Sequence, residues 1–326
     1  MTPDVTVIAE GVDAGVPAHH GDPLREQRVL ASVAGVVDRS NRDVLIVPGD
    51  DRLAWLHTIC SQRVADLADG ESTEALVLSP HGHVEQHWQV TELDGTVWLD
   101  VEPGTAAEVL AYLQKMRFLK RVEPADVSAD WAVLSVGGPA ATDVLRAAGR
   151  PVPDSRAVAL PDGGFVRRTP WGVDLLVPRA SAPSVFAALQ AAGAAPAGML
   201  AFEALRVEAR RPRLGLETDH RTIPHEVGWI GPAVHLDKGC YRGQETVARV
   251  QNLGRPPRRL VLLHLSGESD LLPPPGTPVE LDGRSVGFLG TAVHHYELGP
   301  IALAVIKRSL PDDAALTVAD APVSIA

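Results

Sequence analysis

Lys238-Gly239-Cys240-Tyr241-Arg242-Gly243-Gln244-Glu245 sets one of only two cysteines between two glycines, flanks it with Lys238 and Arg242, and runs into Thr246-Val247-Ala248-Arg249-Val250, which reads as a short helix. The layout is that of a thiol at a helix entrance. Glycines permit unusual backbone angles and close approach of a partner, helix-start N–H groups favour negative charge, and neighbouring cations should lower a thiol pKa. Against this stands the ordinary role of free cysteine as a small buried hydrophobe. Cys60 has that look, because it follows Leu53, Leu56 and Ile59 at helical spacing.

Outward from the octapeptide, the nearest boundary is Gln251-Asn252-Leu253-Gly254-Arg255-Pro256-Pro257-Arg258-Arg259, a basic Pro/Gly-rich linker. Strand-like runs follow: Leu260 to Leu265, Pro278 to Leu281 turning at Asp282-Gly283 into Ser285 to Leu289, then Ala292 to Tyr296 and Ile301 to Ile306. An Asp-Gly turn between apolar runs is a hairpin signal, so residues 256–326 are expected to form a small C-terminal β-barrel. His294-His295 falls within it and reads as structural.

Upstream, residues 198–211 read as a helix stopped by Pro212. Met199, Phe202 and Leu205 mark an apolar side, and Glu203, Arg206 and Arg210 a charged one whose members can pair. Glu208 falls among Ala201, Ala204 and Leu205, either solvated at a rim or held in a pocket with a partner, since unpaired burial of a carboxylate is costly.

Earlier still the chain repeats itself. Val97-Trp98-Leu99-Asp100-Val101 followed by Thr105 and a helix ending Leu113-Gln114 is echoed by Val173-Asp174-Leu175-Leu176-Val177 followed by Ser181 and a helix ending Leu189-Gln190. Val44-Leu45-Ile46-Val47 before Gly49 is matched by Val133-Leu134-Ser135-Val136 before Gly137-Gly138-Pro139. Two similar α+β lobes, residues 43–125 and 130–197, are therefore expected, each a mixed sheet covered by helices. A cleft between them is a natural ligand site.

Composition sets the outer limits. With 326 residues, 45% hydrophobic and 22% charged, the chain is that of a globular protein with two or three domains. A formal net charge of -11 argues against general nucleic-acid or membrane binding, although local basic patches can still exist. Two cysteines make no disulfide framework, which fits a reducing cytoplasm. Residues 1–25 hold Asp4, Glu10, Asp13 and Asp22 and no apolar run, so a flexible leader is expected in place of a signal peptide. His83, Glu85 and His87 alternate, but one strand rarely completes a metal site, and no metal is assigned.

The octapeptide resembles the K-G-C-Y-x-G-Q-E signature of the folate-binding YgfZ family, which is related in fold to the aminomethyltransferase, or T-protein, of the glycine cleavage system. The resemblance extends to Arg206-Val207-Glu208-Ala209 followed by Gly215, similar to the T-protein family's R-x-E-A stretch, and to Pro224-His225-Glu226-Val227-Gly228-Trp229. Phe118-Leu119-Lys120-Arg121-Val122 with Asp126-Val127-Ser128 resembles a third region of that family. The fold this implies is T-protein-like across residues 26–255, with residues 198–255 completing the two lobes.

The resemblance implies tetrahydrofolate as the cofactor, with Glu208 on the pterin. One carboxylate can accept two of that ring's N–H donors in parallel, a charge-assisted pair. By the same resemblance Arg206, Trp229, Lys238, Tyr241, Arg249 and His87 belong to the folate site and Cys240 is the reactive thiol. Cations for the acidic folate tail are offered by Lys238, Arg242, Arg249, Arg255, Arg258 and Arg259. One departure matters: the T-protein's Asp pair, one member of which handles the proton of aminomethyl transfer, is replaced here by Gln86-His87 in Pro80-His81-Gly82-His83-Val84-Glu85-Gln86-His87. The implied function is an accessory protein in iron–sulfur cluster assembly or repair, with client enzymes, tRNA-modifying ones among them, as transient partners. The alternative is a tetrahydrofolate-dependent one-carbon transferase or demethylase with His87 as proton carrier.

Overall fold

The computed structural model describes residues 5–267 and 271–326, and it divides into two compact units. The first comprises residues up to Ile59, Arg63–Ala75 and Trp88–Phe202; the second comprises Cys60–Gln62, Leu76–His87 and Glu203–Ala326.

The first unit opens with β1 (Thr6–Val7) paired antiparallel to β2 (Pro17–His19), then α1 (Pro23–Ser32) and β3 (Gly35–Asp38). This pairing lies inside the segment expected to be a leader, and it is anchored by the buried side chains of Val16 and Ala18. Two copies of one unit follow. The first runs β4 (Asp43–Pro48), α2 (Arg52–Ile59), β5 (Ser72–Leu78), β6 (Val84–Leu93), β7 (Thr96–Val101), α3 (Ala106–Arg117) and β8 (Ala125–Asp126). The second runs β9 (Trp131–Gly137), α4 (Ala141–Ala147), β10 (Val158–Ala159), β11 (Phe165–Thr169), β12 (Gly172–Pro178), α5 (Ala182–Ala191) and β13 (Ala195–Ala197).

Their sheets confirm the duplication strand by strand. The orders are β5-β6-β7-β4-β8 and β10-β11-β12-β9-β3-β13, identical except that β3 intercalates before the last strand of the second copy. β13 therefore pairs parallel with β3, whereas β8 pairs antiparallel with β4. The symmetry reaches single side chains. Thr105 and Ser181 stand at the N-cap positions of α3 and α5, and both side chains donate to a carbonyl three residues back, of Glu102 and Pro178 respectively.

Charge fills the seam between the copies. Asp100 on β7 accepts from Arg42 at 2.6 Å and from Arg167 on β11, which also reaches Asp174 on β12 at 3.2 Å. Asp174 in turn accepts from Ser135 on β9 at 2.6 Å. Burial works against the charged form of Asp100, but the guanidinium groups of Arg167, Arg42 and Arg39 outweigh it and hold the carboxyl below the usual carboxylate range. Trp98 stacks edge-on against Trp131 and Phe165 alongside, closing the seam.

α6, which the sequence places over residues 198–211, spans Met199–Glu208, and the second unit takes it up from Glu203. Arg210, at φ 53°, turns the backbone left-handed before Pro212 is reached, and Arg211 N–H closes back on the Arg206 carbonyl. α7 (Gln244–Leu253) includes the first residues expected to be linker and ends at Gly254, φ 74°. The closed barrel that follows has the order β14-β17-β16-β15-β18-β19: β14 (Arg258–Leu265), β15 (Pro278–Leu281), β16 (Arg284–His295), β17 (Gly299–Lys307), β18 (Leu316–Val318) and β19 (Ala321–Ile325). The two runs expected on either side of Gly290 are one strand with a register shift between Leu289 and Ala292. Among the described residues, no helix is long and apolar enough to cross a membrane.

Candidate functional site

All eight residues picked from the sequence lie in the second unit, none in the seam between the two copies. His87 comes to it on the Leu76–His87 segment. The turn Ser79–His83 preceding β6 meets the octapeptide there. Gly243, at φ 83°, starts α7 so close to this turn that a Cβ would lie 2.5 Å from the Ser79 carbonyl oxygen. Gly82, at φ 78°, is as tight, with a Cβ 2.7 Å from that of Thr246. The second glycine of the octapeptide is thus required by packing.

Lys238 donates from Nζ to the carbonyls of Cys60 at 2.6 Å and Gln62 at 3.2 Å, and lies 5.0 Å from the Tyr241 ring centroid. Burial pulls its ammonium below the ordinary lysine value, opposed by the Cys60 thiol, and pushes the Tyr241 phenol up to about 12. Gln244 Oε1 accepts from Tyr241 N–H at 3.1 Å and ties the loop to α7. Arg242 makes a forked pair with Glu85 at 2.9 and 3.3 Å. Both cations expected to attend Cys240 are therefore committed elsewhere. Cys240 itself is exposed, whereas Cys60 is buried, and burial pushes its thiol up.

His87 is buried with its ring 4.8 Å from that of Trp229, itself buried. Gln86 beside it is buried too. Of the remaining cations, Arg258 is gripped by Asp219 and Glu226 at 2.8 Å each, and Arg259 reaches Asp312 at 2.6 Å. Arg249 lies exposed on α7.

On α6 the charged side is not solvated. Arg206 is buried and donates to Glu203 at 3.0 and 2.8 Å, to Glu217 at 3.1 Å and to Thr291 at 2.6 Å. Its donors serve the interior. Glu208, two residues on, has its side chain 46% exposed, with Oε2 3.3 Å from Nε2 of His295. His295 is 3% exposed, and its Nδ1 accepts from the N–H groups of Glu297 at 3.2 Å and Leu298 at 3.1 Å. Its Nε2 makes no hydrogen bond, so the approach to Glu208 is a proximity and not a hydrogen bond. Sequence reading treated His295 as structural. Nothing local signals its approach to Glu208, because the two meet where β16 reaches the end of α6.

The GCVT N-terminal domain model matches residues 19–159. An aminomethyltransferase of Rubrobacter xylanophilus is 30% identical over 305 residues, covering 89% of this chain and 81% of that protein. The chain belongs to the aminomethyltransferase family. Within that family its barrel matches the CAF17 C-terminal beta-barrel domain model over residues 258–326. An aminomethyltransferase of Chromobacterium violaceum is 32% identical over 226 residues, 65% of this chain, and the chain spans only 62% of that relative's length. Glycine cleavage system aminomethyltransferase T of Bartonella henselae has the same fold, with a TM-score of 0.85 at 18% identity over 99% of this chain and 93% of that one.

Proposed function

We propose that the chain is a tetrahydrofolate-binding accessory protein of the YgfZ branch of this family, serving iron–sulfur cluster assembly or repair in client enzymes. The observation that carries the reading is the state of the Gln86-His87 pair. A proton carrier in aminomethyl transfer must ionise and reach the reacting nitrogen. Gln86 has no ionisable group, and His87 is packed against Trp229. The site keeps an acceptor for a pterin while lacking a carboxylate at the proton-handling position.

Glu208 suits the pterin: its carboxylate is half-exposed and lies 3.3 Å from the buried His295 ring. Bound tetrahydrofolate would supply a one-carbon carrier whose ring N–H groups meet Glu208, with Arg249 available to the acidic tail. Cys240 is the exposed nucleophile. Two cysteines cannot hold a cluster permanently, since that usually takes four, so any cluster contact is transient or shared with the client.

The test uses one preparation. Calorimetric titration with tetrahydrofolate is expected to show binding, and incubation with methylated amines is expected to form no methylene-tetrahydrofolate. Turnover would reassign the chain to one-carbon transfer, and absence of binding would remove the folate reading. Iodoacetamide is expected to label Cys240 and spare Cys60, and Cys240→Ser to lose support of client enzymes in cells. Full cellular function of that variant would leave Cys240 without a role.

A further inference from the structure

The most exposed aromatic-aliphatic pair among the described residues lies far along the chain from the folate residues, at the end of α3. Phe118 is 89% exposed and Leu119 86%, with Met116 partly exposed beside them. Phe118 also has the backbone of another residue type, φ 46° and ψ −121°. With Lys120 N–H donating to the Arg117 carbonyl at 2.9 Å, it occupies the first central position of a type II′ turn, where glycine belongs. An aromatic there is strained and gains no burial in return.

The roots of the turn are fixed. Trp55, buried, donates from Nε1 to the Met116 carbonyl at 2.9 Å, and Arg121 N–H donates to Asp51 at 2.9 Å. Gly49, at φ 122°, abuts the Arg121 carbonyl too closely for a Cβ. A rigid base thus presents a strained apolar apex. Such outliers persist where the surroundings over-determine them, and they gather at functional positions.

We propose that this tip, Met116 to Lys120, docks the protein reversibly on an anionic lipid surface. Lys115, Arg117 and Lys120, all exposed, flank Met116, Phe118 and Leu119 along the chain, while Arg121 is held by Asp50 at 3.0 Å and Asp51 at 3.3 Å. Apolar side chains at an apex with cations behind them match the layers of a membrane interface, acyl boundary first and anionic headgroups next. The net charge of -11 does not prevent this, since acids more than about 8 Å away are screened at physiological salt. Two features favour lipid over a protein partner. A standard protein interface buries about 800 Å² on each side, far more than three side chains supply. A convex tip also needs a deformable acceptor, which a bilayer is.

The experiment is co-sedimentation of the full chain with phosphatidylcholine vesicles, with and without about one-third phosphatidylserine. Wild type is expected to partition about tenfold more strongly onto the anionic vesicles. Phe118→Gly is expected to raise Tm by about 2–4 °C by relieving the turn, and to lower partitioning about tenfold. Lys115→Glu with Lys120→Glu should remove the preference for phosphatidylserine, and the emission of Phe118→Trp should shift to the blue on anionic vesicles. No partitioning by wild type, equal partitioning by Phe118→Gly, or indifference to phosphatidylserine would each overturn the proposal. A lower Tm for Phe118→Gly would do so too, because it would mean the ring supports the fold.

Discussion

Glu208→Ala is expected to weaken tetrahydrofolate binding by about 100-fold or more while moving the thermal midpoint little. Two N–H donors on a pterin edge would give two charge-assisted hydrogen bonds, each contributing about 1.5–3 kcal/mol when made in a protein site. At about 1.4 kcal/mol per factor of ten, losing both removes at least two decades of affinity. Folding stability should barely register the change, because the carboxylate is half-exposed and solvent screens its approach to His295. Glu208→Gln keeps one acceptor but turns an amide N–H toward a donor, so it should fall close to alanine. His295→Gln should lose less, about fivefold to tenfold, because it changes a neighbour of the carboxylate and removes no contact to the pterin. Titration calorimetry on the three variants reads this directly. Equal affinity of wild type and Glu208→Ala would detach the pterin from α6.

How much of this was legible follows from the range of the forces involved. The duplication was readable because each strand-helix unit carries its own periodicity: Val97–Val101 with Thr105, and Val173–Val177 with Ser181, are local patterns. The intercalation of β3 into the second sheet was not readable, since Gly35–Asp38 finds its place only by pairing with Trp131–Gly137 nearly a hundred residues on. The same division holds in the site. Gly243 and Cys240 stand out in the octapeptide, yet the commitment of Lys238 to the Cys60 carbonyl and of Arg242 to Glu85 depends on segments far apart in sequence. Adjacent charge in the sequence points to the neighbouring thiol, but tertiary contacts engage both cations. The helical wheel of α6 finds the Glu203–Arg206 pair but not its burial, because a wheel gives direction and not what lies in that direction.

Glu217→Ala is expected to destabilise the protein by about 3–5 kcal/mol, the range for breaking a buried ionic network by removing one partner. Glu217 is 0% exposed and all its partners are internal: Arg206 at 3.1 Å and Arg213 N–H at 2.7 Å on one oxygen, Thr291 N–H at 2.8 Å and hydroxyl at 2.6 Å on the other. Arg206 would remain buried with Glu203 alone as its carboxylate partner. Gly290 completes the fit, since a Cβ there would lie 2.6 Å from Glu217 Oε1. Gly290→Ala should therefore destabilise the wild type but cost little in the Glu217→Ala background, where the space is vacated. Urea unfolding of the two single variants and the double supplies the cycle, and additive losses would mean that the carboxylate and the glycine are not coupled. The consequence reaches the site, because this carboxylate joins α6, which carries Arg206 and Glu208, to β16, which carries Thr291 and His295. Loosening that joint misaligns Glu208 and His295 without touching either. Tetrahydrofolate affinity in Glu217→Ala, measured where the variant is still folded, should accordingly fall toward that of His295→Gln.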